Sequence, residues 1–329
     1  MASAIQNWAE ILRTQNLSAE RAMDIVSKWL LITRASVIPI TLTSAAIGGF
    51  LAVSHPDAHP GYFTLVLIGL LLAHAGDNMI SDYFDLESGI DEDEQYAPHP
   101  ILSGLISKQG LIMAIAIVNL LDLGILFYLT EALGWPIAAF ALLGLLVRVG
   151  YDAPPLELKH RGLGELGVAL FWGPLMIGGT YYATTGALEP WVLFASLPYS
   201  LLVTTVLIGK HIDQLEADSE KGIQTLPVRL GPEKSLFMNQ QLMITFFVFV
   251  VCFVGVGRLS VWTLLVLGAV PRLIQVLKIY NQPRPEQAPP AYPVWPLWYA
   301  NWAFSLTRMA GGLLVVGLIL ELFYPIHLG

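Results

Sequence analysis

Charge is scarce in this chain. Only 13% of its 329 residues are Asp, Glu, Lys or Arg, against roughly 25% in an ordinary soluble domain. So few charges cannot clothe a protein of this length in water, and lipid must be the solvent for much of its surface. Cysteine is almost missing: the lone Cys252 excludes an internal disulfide framework. A basic stripe is missing too, and with a formal net charge of −8 the sequence offers no footprint for nucleic acid. The N-terminus lacks the compact basic, apolar and small-residue order of a secretory signal. Residues 1–29 are expected to form a cytoplasmic amphipathic lead-in. No soluble-domain linker interrupts residues 30–329, which are expected to form a single transmembrane bundle.

Apolar runs are what the chain has in abundance. Hydrophobic residues make up 55% of it. Runs of the roughly 17–25 residues needed to span a bilayer lie near 30–52, 62–82, 108–130, 133–151, 165–183, 191–212, 235–256, 259–280 and 303–325. They predict an all-α fold, a polytopic bundle of about nine transmembrane helices. With these spans, Arg13, Arg21, Lys28, Lys108, Lys159, Arg161, Lys221, Arg229, Lys234, Lys278 and Arg284 share one side, and the other holds only Arg258. The positive-inside rule makes the rich side cytoplasmic, together with the N-terminus and the long loops. The segment 291–302, AYPVWPLWYANW, is expected to be an interfacial cap before the last span.

The informative residues stand at the cytoplasmic ends of the second and sixth spans. NMISDYFDLESGID directly continues an apolar run, and its Asn78, Asp82 and Asp85 are spaced four and three apart, on one helix face. A carboxylate at membrane depth costs about 2.5–3.5 kcal/mol even on the lenient insertion scale, so such groups are rarely idle. Oxygen ligands on one face suit Mg²⁺, which binds through one or two carboxylates plus substrate phosphates. The second stretch, Lys210 to Gly222, also emerges from an apolar run and carries Asp213, Glu216 and Asp218. Two acidic helix ends facing one cavity would let metal ions bridge a diphosphate and neutralise it as it leaves. Arg34, inside the first span, needs an anionic partner.

These motifs resemble those of the UbiA superfamily of intramembrane prenyltransferases, especially the branch that prenylates dihydroxynaphthoate on the way to menaquinone. The resemblance runs from Arg34 to about Gly231. It rests on NMISDYFDLESGID, on PILSGLIS, on PPLELKHRGLGELGV with GPLMIGGTYY after it, and on DSEKGIQTLPVRLG. It implies a nine-helix bundle open laterally to lipid, Mg²⁺ as cofactor, and an isoprenoid diphosphate and a lipophilic acceptor as partners within the bilayer. The metal positions of the first motif fall on Asn78, Asp82 and Asp85, with Asp91 behind them. The second motif aligns through Asp218 and Gly222. Its other aspartate falls on Gln214, and Asp213 lies one position early, so Asp213, Gln214 and Asp218 are the candidate second ligand set. The family's arginine after the first motif appears here as His99. Lys159 and Arg161 match a basic position near the diphosphate. Arg suits bidentate phosphate contact, and Lys a point charge. Arg34, Tyr151 and His211 complete the expected substrate contacts, and Asp82, Asp85, Asp218 and Lys210 are expected to carry the chemistry.

The implied reaction is ionisation of the diphosphate, then attack of an electron-rich, aromatic or quinone-precursor acceptor on the allylic cation. Ionisation without an acceptor would make a terpene cyclase. Metal-dependent binding without chemistry would make a transport or assembly protein.

Overall fold

The computed structural model describes residues 4–17, 21–87, 98–290 and 292–328, apart from the side chains of Asp85 and Glu87. Among the described residues there are helices and turns and no strand. The chain opens with α1 (Ala4–Thr14), α2 (Ile25–Ile32), α3 (Ile38–Ala52) and α4 (Pro60–Glu87). Asp24 caps α2, accepting from the amides of Val26 and Ser27. The Ser27 hydroxyl first, then these amides and the Trp8 indole, hold its carboxyl well below the usual range. The hairpin of α5 (Lys108–Leu133) and α6 (Trp135–Asp152) comes after it. Ser107 caps α5, Gly134 ends it at φ 90°, and Pro136 opens α6, the usual arrangement of glycine after a helix and proline at the start of the next.

Next come α7 (Gly164–Leu170), a π-turn at Phe171–Leu175, α8 (Met176–Thr185), α9 (Pro190–Ala195) and α10 (Leu197–Asp213). Short α11 (Leu215–Glu220) and α12 (Leu226–Leu230) lead to α13 (Pro232–Gly255). A 3₁₀ stretch at Val261–Ala269 continues as α14 (Val270–Tyr280), and α15 (Trp298–Glu321) closes the bundle.

Seven stretches are long and apolar enough to cross a membrane: 60–84, 108–133, 135–152, 190–213, 232–255, 261–280 and 298–321. The other two expected spans depart from continuous helices, each for a local reason. The first breaks between α2 and α3, where Arg34 adopts φ 50° and Pro39 opens the new helix. Breaking the helix there lets Arg34 reach Asp82 on α4. The fifth is interrupted by the π-turn, which contains Pro174; a proline within a helix removes one backbone donor and clashes with the preceding turn. The boundary expected at 29/30 falls inside α2. Residues 298–302, expected in an interfacial cap, form the first turn of α15.

α10 is the axis of the bundle. In the most apolar 18-residue stretch of the span 190–213, 67% of the residues are buried, against 11% in the corresponding stretches of 108–133 and 135–152. The axial helix packs on α7, α13 and α15, while α5 and α6 present Leu120, Leu121, Phe127, Leu142 and Leu146 outward. Small residues permit the closest approaches, as expected where lipid supplies no hydrophobic drive between helices. A Cβ on Gly209 would meet the Ala300 backbone at 2.7 Å, and one on Gly317 the Trp262 carbonyl at 2.6 Å.

The contact of α10 with α15 fixes one sequence candidate. Asp213 accepts from the amides of Tyr299 at 3.0 Å and Ala300 at 2.9 Å, one with each carboxylate oxygen, and Arg284 lies 4.0 Å away. It caps the start of α15 across the bundle, satisfying amides a helix N-terminus leaves open. Replacing Asp213 by Ala should lower stability by about 1–2 kcal/mol, the range for a lost helix cap, and Asp213→Asn by less. Thermal unfolding of the purified protein in detergent, monitored by tryptophan fluorescence, measures both.

Candidate functional site

α4 and α10 deliver their polar ends to one cavity of about 330 Å³. Asn78 of α4, Lys210 of α10 and Arg34 of the α2–α3 turn line it, and so do Arg13 and Gln15 at the end of the N-terminal helix. Much of the remaining lining is apolar, formed by Ile40, Val168, Trp172, Val203, Val206, Leu207 and Phe304. The chamber thus combines cationic groups with a hydrocarbon wall.

At its edge Asp82 is fully buried and bonded to the Arg34 guanidinium. The left-handed backbone of Arg34 is sparsely populated for a residue with a Cβ and persists here because the side chain is held by that pair. Asn78 donates its amide N–H to the Thr33 carbonyl at 2.9 Å, which leaves the amide oxygen as its ligand atom. His99 lies on the far side of the first motif, buried, with Nε2 2.9 Å from the Asp82 carbonyl. His74, one turn before Asn78, pairs with Thr41 and meets the Trp172 ring edge-on. The Asp85 side chain and residues 88–97, which include Asp91, lie outside the described residues.

The second motif divides. Asp213 is committed to α15, as described above. Gln214 ends α10, and its carbonyl accepts from the Asp218 amide at 2.8 Å. Asp218 is 6% exposed, and among the described residues its Oδ2 has no hydrogen-bond partner. Arg34, Lys159, Asp152 and Asp218 all stand within charge–charge range of Lys210, so the ends of the two motifs belong to one electrostatic neighbourhood. Arg161 is more than half exposed and sits 3.7 Å from Glu157.

A buried relay joins three further elements. Glu165 Oε1 of α7 lies 2.8 Å from His211 Nδ1 of α10, and His211 Nε2 lies 3.2 Å from the Tyr151 hydroxyl of α6. A carboxylate on one nitrogen fixes the imidazole's orientation. Sequence pattern selects Tyr151 and His211 but misses Glu165, whose signal is a lone acid in the apolar run GELGVAL. It also misses Arg13 and Gln15. Arg148 of α6 bonds Asp77 of α4 at 2.8 Å, away from this cavity's lining.

Fold and cavity together define a polytopic α-helical membrane protein with a cation-walled chamber at one end of its bundle. The pattern of the UbiA prenyltransferase family matches residues 41–304. The 2-carboxy-1,4-naphthoquinone phytyltransferase of Synechocystis sp. is 28% identical over 262 residues, which is 77% of this chain and 81% of the relative. The 1,4-dihydroxy-2-naphthoate octaprenyltransferase of Haemophilus influenzae is 31% identical over 216 residues, 63% of this chain and 70% of that one. A solved UbiA homolog from Archaeoglobus fulgidus, bound to GPP and Mg²⁺, shares the fold with a TM-score of 0.56 at 18% identity, covering 87% of this chain and 99% of its own. The chain belongs to the UbiA prenyltransferase family. It is an enzyme, a membrane prenyltransferase.

The Arg34–Asp82 pair has a measurable consequence. Removing Arg34, itself partly exposed, leaves the fully buried Asp82 carboxylate uncompensated, a loss of up to about 3–5 kcal/mol. Arg34→Gln should therefore destabilise the protein strongly, and adding Asp82→Asn to the same chain should recover most of the loss. A double-mutant cycle of unfolding free energies in detergent tests the coupling.

Proposed function

We propose that the chain is a Mg²⁺-dependent intramembrane prenyltransferase. It ionises an isoprenoid diphosphate in the cavity at the ends of α4 and α10 and passes the prenyl group to a lipophilic, naphthoate-type acceptor. The observation that carries this reading is the chamber itself. Arg34, Asn78 and Lys210 share it with an apolar wall of span residues, so an anionic head and a hydrocarbon tail are both accommodated. The activities named for the Synechocystis and Haemophilus relatives support the naphthoate class, and the GPP and Mg²⁺ of the Archaeoglobus structure support the donor and the ion.

The donor set suits a hard dication. Asp218 keeps a buried oxygen without a hydrogen-bond partner among the described residues, and Asn78 keeps its amide oxygen. Among the described residues no three His, Cys, Asp or Glu side chains stand together as a metal site. Mg²⁺ would then rely on Asp82, Asp85 and Asp218, with Asn78 and Gln214 as neutral oxygens and with substrate phosphates completing the shell, as this ion prefers. When bound, it would neutralise charge on the departing diphosphate. Asp213 is left out of the set because its oxygens are spent on α15.

Lys210 and Arg34 bind the diphosphate oxygens and stabilise their growing charge as the carbon–oxygen bond breaks. Trp172, in the cavity lining, supplies an aromatic ring able to stabilise the allylic cation. The wall of Ile40, Val203 and Val206 keeps water from it. The acceptor carbon then forms the new bond, and the proton it loses passes to the released diphosphate. The motif ends and the N-terminus face the cytoplasm in this reading, by the positive-inside rule.

Pyrophosphate release from C10 to C20 isoprenyl diphosphates, with and without 1,4-dihydroxy-2-naphthoate, tests the assignment. Release that requires acceptor and Mg²⁺ is expected. Release without acceptor would identify a cyclase, and binding without release would sink the enzymatic reading of the cavity. Asp82→Ala, Asp85→Ala and Asp218→Ala should each lower kcat by about a hundredfold or more, the scale for losing one preorganised charge-stabilising contact.

The two basic loop residues should separate in the same assay. Lys159 lies within charge range of Lys210, whereas Arg161 is exposed and pairs with Glu157. Lys159→Ala should lower kcat/KM by about tenfold or more, roughly 1.4 kcal/mol. Arg161→Ala should change it by less than about twofold, as an exposed ion pair predicts. Equal losses in the two variants would bring Arg161 back to the phosphates.

A further inference from the structure

We infer that the N-terminal arm is part of the substrate site, and that Arg13 is a diphosphate-positioning residue supplied from outside the family-matched bundle. This rests on the diphosphate reading of the cavity. The matched region begins at residue 41, so nothing in that match assigns a role to residues 4–17.

The arm is docked on the bundle at several points. Ile11 is fully buried and Asn7 nearly so. Arg308, inside the last span, donates to the Leu12 carbonyl at 3.1 Å. Trp8 donates to Asp24 at 3.0 Å, and Asn7 to the Ala22 carbonyl at 3.0 Å. Gln15 is the lock. It is 3% exposed and has a left-handed φ of 57°. Its amide donates to the Leu31 carbonyl at 2.9 Å and accepts from the Ser36 amide at 3.1 Å. Those two contacts flank the turn that carries Arg34. A strained backbone held by two buried hydrogen bonds marks a position the surrounding structure over-determines.

What the lock holds is Arg13. It lines the same cavity as Arg34, Asn78 and Lys210, and among the described residues no carboxylate lines that cavity. Arg34 is matched by Asp82. Arg13 and Lys210 have no ion-pair partner among the described residues. Arg13 and Lys210, both exposed, thus bring positive charge to one chamber without a direct ion pair, and an anion bound there would be attracted by both. A diphosphate, with charges on both phosphorus centres, answers both, and the planar fork of Arg13 suits two oxygens at once. Arg13 then sets where the head group sits and contributes to affinity more than to bond breaking.

Inorganic pyrophosphate is the probe, titrated calorimetrically into the purified full chain in detergent with Mg²⁺. Arg13→Ala should weaken binding about tenfold or more, and Arg13→Lys should fall between it and wild type. Gln15→Ala should reproduce the Arg13→Ala loss and also open the arm to trypsin at Arg13 and Arg21. In turnover, Arg13→Ala should raise KM for geranylgeranyl diphosphate with little change in kcat. Unchanged pyrophosphate affinity in Arg13→Ala, with the arm still protected from trypsin, would overturn the inference and leave the diphosphate site standing. Tighter binding in that variant would overturn it too, making the arm a plug. Failure of wild type to bind pyrophosphate would overturn both readings at once.

Discussion

A charged group inside a membrane bundle has no water to fall back on, and most of the site's architecture arises from that constraint. The guanidinium of Arg34 and the carboxylate of Asp82 come from elements far apart in sequence and meet at the edge of the cavity. The meeting dictates the break between α2 and α3, because a continuous helix through residues 33–37 would direct Arg34 elsewhere. It also ties the α4 end to the turn that Gln15 braces. The pair therefore joins the first acidic motif, the first span and the N-terminal arm into one unit.

The same constraint recurs with other chemistry. Arg148 and Asp77 pair across α6 and α4. Glu165 is answered by His211, whose other ring nitrogen meets Tyr151. Asp213 is answered by the opening amides of α15. Each contact joins two helices whose lipid-facing surfaces offer no hydrophobic preference for one another over lipid. Paired polar groups and close glycine contacts, such as Gly209 on Ala300, therefore fix register where apolar packing alone would leave it loose.

Much of this is legible in the residues, and the limits have physical causes. Periodicity and composition locate the spans because hydrocarbon thickness sets their length. Asp82 and Asp218 stand out as acids continuing apolar runs, and both are buried. Spacing cannot tell Asp213 from Gln214, since the fate of Asp213 is decided by α15, 86 residues away in sequence. Arg34 plainly needs a partner, but only tertiary contact shows which. The arm escapes notice for a related reason. Its residues are polar and sparse, so pattern alone describes a lead-in at the membrane surface. Its attachment depends on Gln15, whose two bonds flank the turn after α2.

The arrangement also bears on how one small chamber can hold a strongly anionic head beside a lipid-like tail. In the proposed reading, the cations of the lining lower the cost of bringing the head out of water, and the apolar wall receives the tail without any exchange of hydrogen bonds. The carboxylates stand back from the lining: Asp82 behind Arg34, and Asp218 buried with one oxygen unpartnered among the described residues. Were they to line the chamber directly, they would repel the incoming diphosphate. In the proposed reading, they would act once head group and ion arrive together.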